Sequence, residues 1–104
     1  MELKVTPWLN EAPPTAEELE EQLVGEEELN VYHWSSPAQS ELKGHTHGYH
    51  KVLYVLSGSI KFELPTRHKN IDLKTGDRLD LPAGVRHNAV VGMDGVTCLE
   101  AHVY

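Results

Sequence analysis

A chain of 104 residues, 39% hydrophobic and 24% charged, has the make-up of one folded domain around a single core, which excludes wholesale disorder. A net charge of -7 works against nucleic acid and anionic membrane surfaces as partners, and the longest aliphatic or aromatic run, Val52–Leu56, is far below the roughly 20 residues a membrane span needs. A lone cysteine, Cys98, allows no internal disulfide; with no basic-then-apolar leader, the expected setting is the cytoplasm. The charge is uneven. Residues 1–41 carry ten of the sixteen acids and one base, Lys4, whereas six of the seven histidines lie at or after position 45. The chain thus divides into an acidic arm, 1–28, and a histidine-rich body, 29–104.

In chain order, the first predicted element is a helix. Pro13-Pro14 block anything earlier, Thr15 and Glu18 have capping-box spacing, and Gly25 is placed to end it. Leu19 and Leu23 share its apolar face and are expected to clamp it onto the body. Beyond Gly25 the pattern shifts to short β segments: Leu29–Trp34, Glu41–His47, Lys51–Leu56, Ser59–Leu64, Asn70–Leu73, Arg78–Leu81, Asn88–Val91 and Val96–Val103. Ser57-Gly58 and Asp94-Gly95 have the chemistry of two-residue hairpins, and residues 65–69 that of a longer turn. Ile60, Phe62, Leu64, Ile71 and Leu73 alternate as one buried face. The predicted fold class is all-β, a sandwich or small barrel with one short helix.

His45 and His47, at i and i+2 on a strand, place two imidazoles on one face about 7 Å apart, suited to one metal ion. Forty residues on, Gly76, Pro82, Gly84 and His87 add a third histidine just past a Pro-x-Gly turn. With these two segments the chain resembles the cupin superfamily of jelly-roll barrels. The family's motifs run Gly-x5-His-x-His-x3,4-Glu-x6-Gly and Gly-x5-Pro-x-Gly-x2-His-x3-Asn. His45, His47 and Gly58 match the first and Gly76, Pro82, Gly84 and His87 the second, with Val91 where Asn is usual. The resemblance covers residues 29–103. It implies a cupin barrel with a metal site at His45, His47 and His87, and a small-molecule activity such as a dioxygenase or isomerase.

The motif's Glu falls at position 51, and this chain has Lys51, a donor with no free lone pair. His50 beside it is the candidate fourth ligand, provided a bulge turns it inward. Lys51 itself has three readings: an inward charge serving as an acid or binding a carboxylate, a group that displaces the metal, or a side chain turned to solvent by a one-residue register shift. On the last strand Cys98, Glu100, His102 and Tyr104 share one parity. Facing the cavity, Glu100 becomes an acid–base candidate; facing water, the set is an exposed β face, the reading favoured for His102 and Tyr104. Tyr32, Trp34, Tyr49, Tyr54 and Phe62 read as core or subunit-contact residues.

Two functions follow. In the first, one divalent or transition-metal ion (Zn, Fe, Ni, Cu or Mn) on His45, His47, His87 and His50 makes the protein an oxygenase or isomerase of a small molecule, with Glu100 or Lys51 moving protons. In the second, Lys51 has cost the site its metal, and the protein is a non-catalytic sensor or binding module for a small, anionic ligand. The resemblance to small cupins also implies a homodimer, with which the apolar face of Val52, Tyr54 and Leu56 is consistent.

Overall fold

The computed structural model describes residues 3–9, 11–27 and 31–103, with the side chains of 23–27 and 43–45 outside that description. Seven strands and one α-helix make up the described chain: β1 (Lys4–Thr6), α1 (Ala16–Glu27), β2 (Val31–Ser36), β3 (Glu41–His45), β4 (His50–Leu64), β5 (Lys69–Lys74), β6 (Arg78–Leu81) and β7 (His87–Val103). Every strand pairing is antiparallel, and the all-β expectation holds.

Two long strands organise the molecule. β4 pairs with β7 from His50↔Val103 to Glu63↔Asn88. The first half of β4 also pairs with β6, and its second half with β5; the second half of β7 pairs with β2, and its first half with β3. Each long strand therefore serves two layers, β1-β6-β4-β7-β2 and β5-β4-β7-β3, joined where β4 and β7 bend.

The bend lies where hairpins were expected. The chain does not reverse at Ser57-Gly58 or Asp94-Gly95; β4 and β7 run straight through, with the register shifting between Val55 and Ser57 and again between Gly58 and Ile60. Glycine at positive φ serves a bulge as well as a turn, which is why the two look alike in sequence. Here Gly58 (φ 79) and Gly95 (φ 76) face each other so closely that a Cβ on Gly58 would lie 1.9 Å from the Gly95 carbonyl oxygen. The hairpin after Leu64 does form, through a 3₁₀ turn at Pro65–Arg67 and a left-handed His68.

Between the layers lies the main core. Leu53, Val55, Ile60, Phe62, Leu64, Ile71, Leu73, Leu79 and Leu81 are buried in it, the alternating set read from the sequence among them. A second cluster occupies the outer face of β4 and β7, where Leu19 of α1 packs on Val52, Tyr54, Leu99 and Ala101, with Trp8 alongside. This covers the apolar face expected to meet a second subunit: Val52 and Tyr54 are buried under the chain's own helix and are not open to a partner. The Thr15 hydroxyl caps α1 by accepting the Glu18 N–H at 3.2 Å, but the helix continues past Gly25 to Glu27. Leu23, Leu29 and Tyr104 fall outside the described set. The arm is pinned at a motif turn: Asp77 accepts the Trp8 and Lys74 N–H groups at 3.0 Å each, and Trp8 fills the space over Gly76.

Candidate functional site

Strand register brings most of the candidate residues to one end of the barrel. β4 and β7 pair Lys51 with His102, Leu53 with Glu100 and Val55 with Cys98; β2 adds Tyr32 opposite Glu100 and Trp34 opposite Cys98. Leu53, Val55 and Cys98 lie in the core, so Lys51, Glu100, Tyr32 and Trp34, which share their faces, project to the inside of the barrel. Lys51 is thus not turned to solvent by a register shift. Its side chain is 12% exposed and its Nζ lies 3.6 Å from Glu100 Oε2.

Glu100 is the best-connected carboxylate at this end. It accepts hydrogen bonds from the Tyr32 hydroxyl, from Trp34 Nε1 at 3.0 Å and from His102 Nε2 at 2.6 Å, while only 3% exposed. Burial pushes its carboxyl upward, but the Lys51 ammonium and the three donors outweigh that, holding it below its ordinary value. The same surroundings act the other way on Cys98: burial and the Glu100 charge push its thiol up to about 12, against a smaller opposing effect of Lys51.

His102 belongs to this group, although an exposed face was the expectation for it. Its ring stacks on Tyr49 at 3.9 Å, meets Tyr32 edge-on at 5.3 Å, and places Nε2 2.7 Å from the Tyr32 hydroxyl. Tyr49 stacks in turn on His47 at 4.7 Å, so one run of rings, His102–Tyr49–His47, crosses the mouth from one layer to the other. The sequence reading placed Tyr32, Trp34 and Tyr49 in the core or at a subunit contact. For the first two the parity they share with Glu100 across β2 and β7 was the available signal, usable only once that pairing was known.

His47 and His87 form the other side of the mouth. Their ring centroids are 5.1 Å apart, and Phe62 lies 6.1 Å from His87 on the core side. Two imidazoles bound through Nε2 at about 2.0–2.1 Å to one tetrahedral ion have centroids roughly 5 Å apart, so the separation suits a shared metal. The carbonyl of Val85 can only accept, so His87 Nδ1 donates to it at 3.1 Å, which leaves the lone pair of the neutral ring on Nε2. The Pro82–Gly84 turn is tied down beside them, Gly84 N–H donating to the His47 carbonyl at 2.9 Å. The His45 backbone pairs in register with His87, and its side chain lies outside the described residues. Among the described residues no group of three or more His, Cys, Asp or Glu side chains is arranged to hold a metal ion.

His50 is not brought to this pair. β4 runs in unbroken register from His50 to Val55 against β7, without the bulge that would turn the ring inward. His50 shares the parity of Val52 and Tyr54, and its Nδ1 accepts the Ala83 N–H at 2.9 Å. It fastens the Pro82–Gly84 turn. Arg78 and Asp80 pair with each other at 3.1 Å beside Tyr54, away from the mouth.

No protein-family model matches the chain, and no curated protein matches it in sequence. Solved structures do match in shape. A DUF861 family protein of Thermotoga maritima is 20% identical with a TM-score of 0.62 over 99% of this chain and 100% of that one. A cupin-2 domain protein of Shewanella frigidimarina is 20% identical with a TM-score of 0.60 over 71% of this chain and 69% of that one. The DMSP lyase DddQ of Ruegeria pomeroyi is 22% identical with a TM-score of 0.66, over 73% of this chain and 38% of that one. No helix among the described residues is long and apolar enough to cross a membrane. With its two layers joined through the bends of β4 and β7, the chain is a small protein of the cupin jelly-roll fold.

Proposed function

We propose that the barrel mouth is a metal-dependent catalytic site for a small molecule, with His45, His47 and His87 as the protein ligands. The observation that carries this is the His47–His87 pair, 5.1 Å between centroids with the His87 tautomer set by Val85. An all-imidazole set selects Zn, Fe, Ni, Cu or Mn over Mg or Ca. Such an ion, when bound, supplies Lewis acidity or a redox centre beside open coordination positions. His50 is left out of the ligand set because its Nδ1 is committed to the Ala83 backbone.

The chain's own residues supply the remainder. Lys51 stands where the motif's carboxylate is usual and is matched by Glu100 from the neighbouring strand, so the pair adds no net charge to the mouth. Glu100 is held ionised and almost fully buried, which makes it an orienting charge for the groups around it and keeps it from contact with a substrate. Tyr32, 42% exposed, and His102, its side chain 20% exposed, are more open to water than Lys51 at 12%. That DddQ, a lyase by name, is among the structures of this shape agrees with an enzyme. A sensor for an anion is the weaker reading, because the ammonium that would recognise the anion is already paired with Glu100. A reducing, cytoplasmic setting stays part of the proposal, on the single buried thiol of Cys98.

Metal analysis of His47→Ala and His87→Ala against the wild-type protein tests the assignment. Loss of metal in both variants is expected. Full metal content in either, with the fold intact, would refute the ligand set.

A further inference from the structure

The network around Glu100 contains an arrangement that needs no metal. His102 Nε2 lies 2.6 Å from Glu100 Oε2 and 2.7 Å from the Tyr32 hydroxyl oxygen. An ionised carboxylate has no proton to give, so Nε2 carries the hydrogen and donates it to Glu100. In the neutral ring the lone pair then sits on Nδ1. The ring is also fixed in orientation, with Tyr49 stacked on one face and Tyr32 edge-on. A buried carboxylate that fixes the tautomer of a partly exposed imidazole and stabilises its cation, without taking the proton itself, is the division of labour of the carboxylate–histidine pair in hydrolytic triads.

We propose that His102 is a general base acting through Nδ1, that Glu100 is its positioning residue, and that the substrate class is a small, uncharged carbon acid with a C–H beside a carbonyl. This rests on the reading of the barrel mouth as the substrate site, and not on the metal. In the step, the C–H bond breaks and its proton moves to His102 Nδ1. The electron pair left on carbon forms the carbon–carbon double bond of an enolate, and the carbonyl π pair moves to oxygen.

The charges face one another correctly for it. From β4 comes Lys51, from β7 Glu100, from β2 Tyr32 and from the loop before β4 Tyr49, so the Lys51 and Glu100 charges cancel and the proton taken by His102 adds one positive charge to the cluster. A substrate that goes from neutral to an anion matches that change. Glu100 stays ionised throughout because three donors and the Lys51 ammonium hold it so.

Two measurements test this on the intact protein, both after dialysis against a chelator and again after metal loading. Nitrogen-15 NMR of the histidine rings, with the His102 signals assigned by His102→Gln, reads the tautomer directly. Nε2–H with an unprotonated Nδ1 is expected, reverting toward a mixture in Glu100→Gln; an Nδ1–H tautomer in the wild-type protein overturns the proposal without reliance on any variant's fold. The second uses 5-nitrobenzisoxazole, a carbon acid that opens to a coloured nitrophenolate when a base takes its C–H proton and the N–O bond breaks. Wild-type protein is expected to accelerate this by at least tenfold over His102→Gln, with and without metal. Equal rates in the two overturn the proposal. An acceleration that appears only on metal loading overturns it too, while leaving the metal reading intact. One that persists in chelator-treated protein supports it, and the metal reading is then decided by metal content alone.

Discussion

At the scale of single residues, the mouth depends on the pairing of Lys51 with Glu100. Removing one partner leaves the other charge buried. Lys51→Met is therefore expected to destabilise the fold by about 3 kcal/mol, read as a lower urea midpoint at pH 7. The pH dependence follows from the depressed carboxyl of Glu100. Its stabilisation is complete above the ordinary carboxylate range and is lost as pH falls through its lower, folded-state value. The wild-type urea midpoint should fall below about pH 4, and the fall should be shallower in Glu100→Gln, which lacks that titration. Cys98, with its thiol pushed up to about 12, should stay unreactive to thiol reagents at pH 8 until the protein is unfolded; rapid labelling of the native protein would contradict its placement in the core. The alternation Cys98, Glu100, His102 was legible from the sequence, as were His47 and His87 from their motifs. Which way the last strand faced was not. That is decided by the pairing of Tyr32 with Glu100 and of Lys51 with His102, partners 68 and 51 positions away in a chain read without its neighbours.

At the scale of elements, the two long bent strands are the device that builds two layers around one core from so few residues. Gly58→Ala should be severely destabilising, where the same exchange at a compatible backbone would stabilise by up to about 1 kcal/mol, because its Cβ would meet the Gly95 carbonyl oxygen at 1.9 Å on a backbone with φ 79. Insoluble or unfolded protein is the expected outcome, and a fully folded variant would show that the crossing can separate. The strands themselves were readable from alternation, and the turn at Pro65–Arg67 from its length. Bulges at Gly58 and Gly95 were not, since a glycine at positive φ carries the same signature in a bulge as in a hairpin. α1 presents the converse case, where the apolar Leu19 was visible but its target was not. Leu19→Ala should cost about 2–4 kcal/mol, measured as a reduced urea midpoint, by uncovering Val52, Tyr54, Leu99 and Ala101.

At the scale of the molecule, the barrel has a buried apolar interior and a polar end, where the imidazoles of one layer face the Lys51–Glu100 network of the other across Tyr49. The acidic arm serves this arrangement indirectly: Trp8 and Asp77 secure the turn from which β6 starts, and β6 leads to the Pro82–Gly84 turn that His47 and His50 hold. The fold thus connects its outer covering to the geometry of the mouth through backbone N–H groups held by the Asp77 and His50 side chains and the His47 carbonyl.

The most direct test of the central claim is the metal content of untagged protein, purified without chelator and measured by inductively coupled plasma mass spectrometry, beside His87→Ala treated identically. Close to one equivalent of Zn, Fe, Ni, Cu or Mn in the wild-type protein, and none in the variant, is the expected result. A wild-type protein that stays metal-free even after reconstitution would contradict the claim, and the mouth would then belong to Lys51, Glu100 and His102 alone.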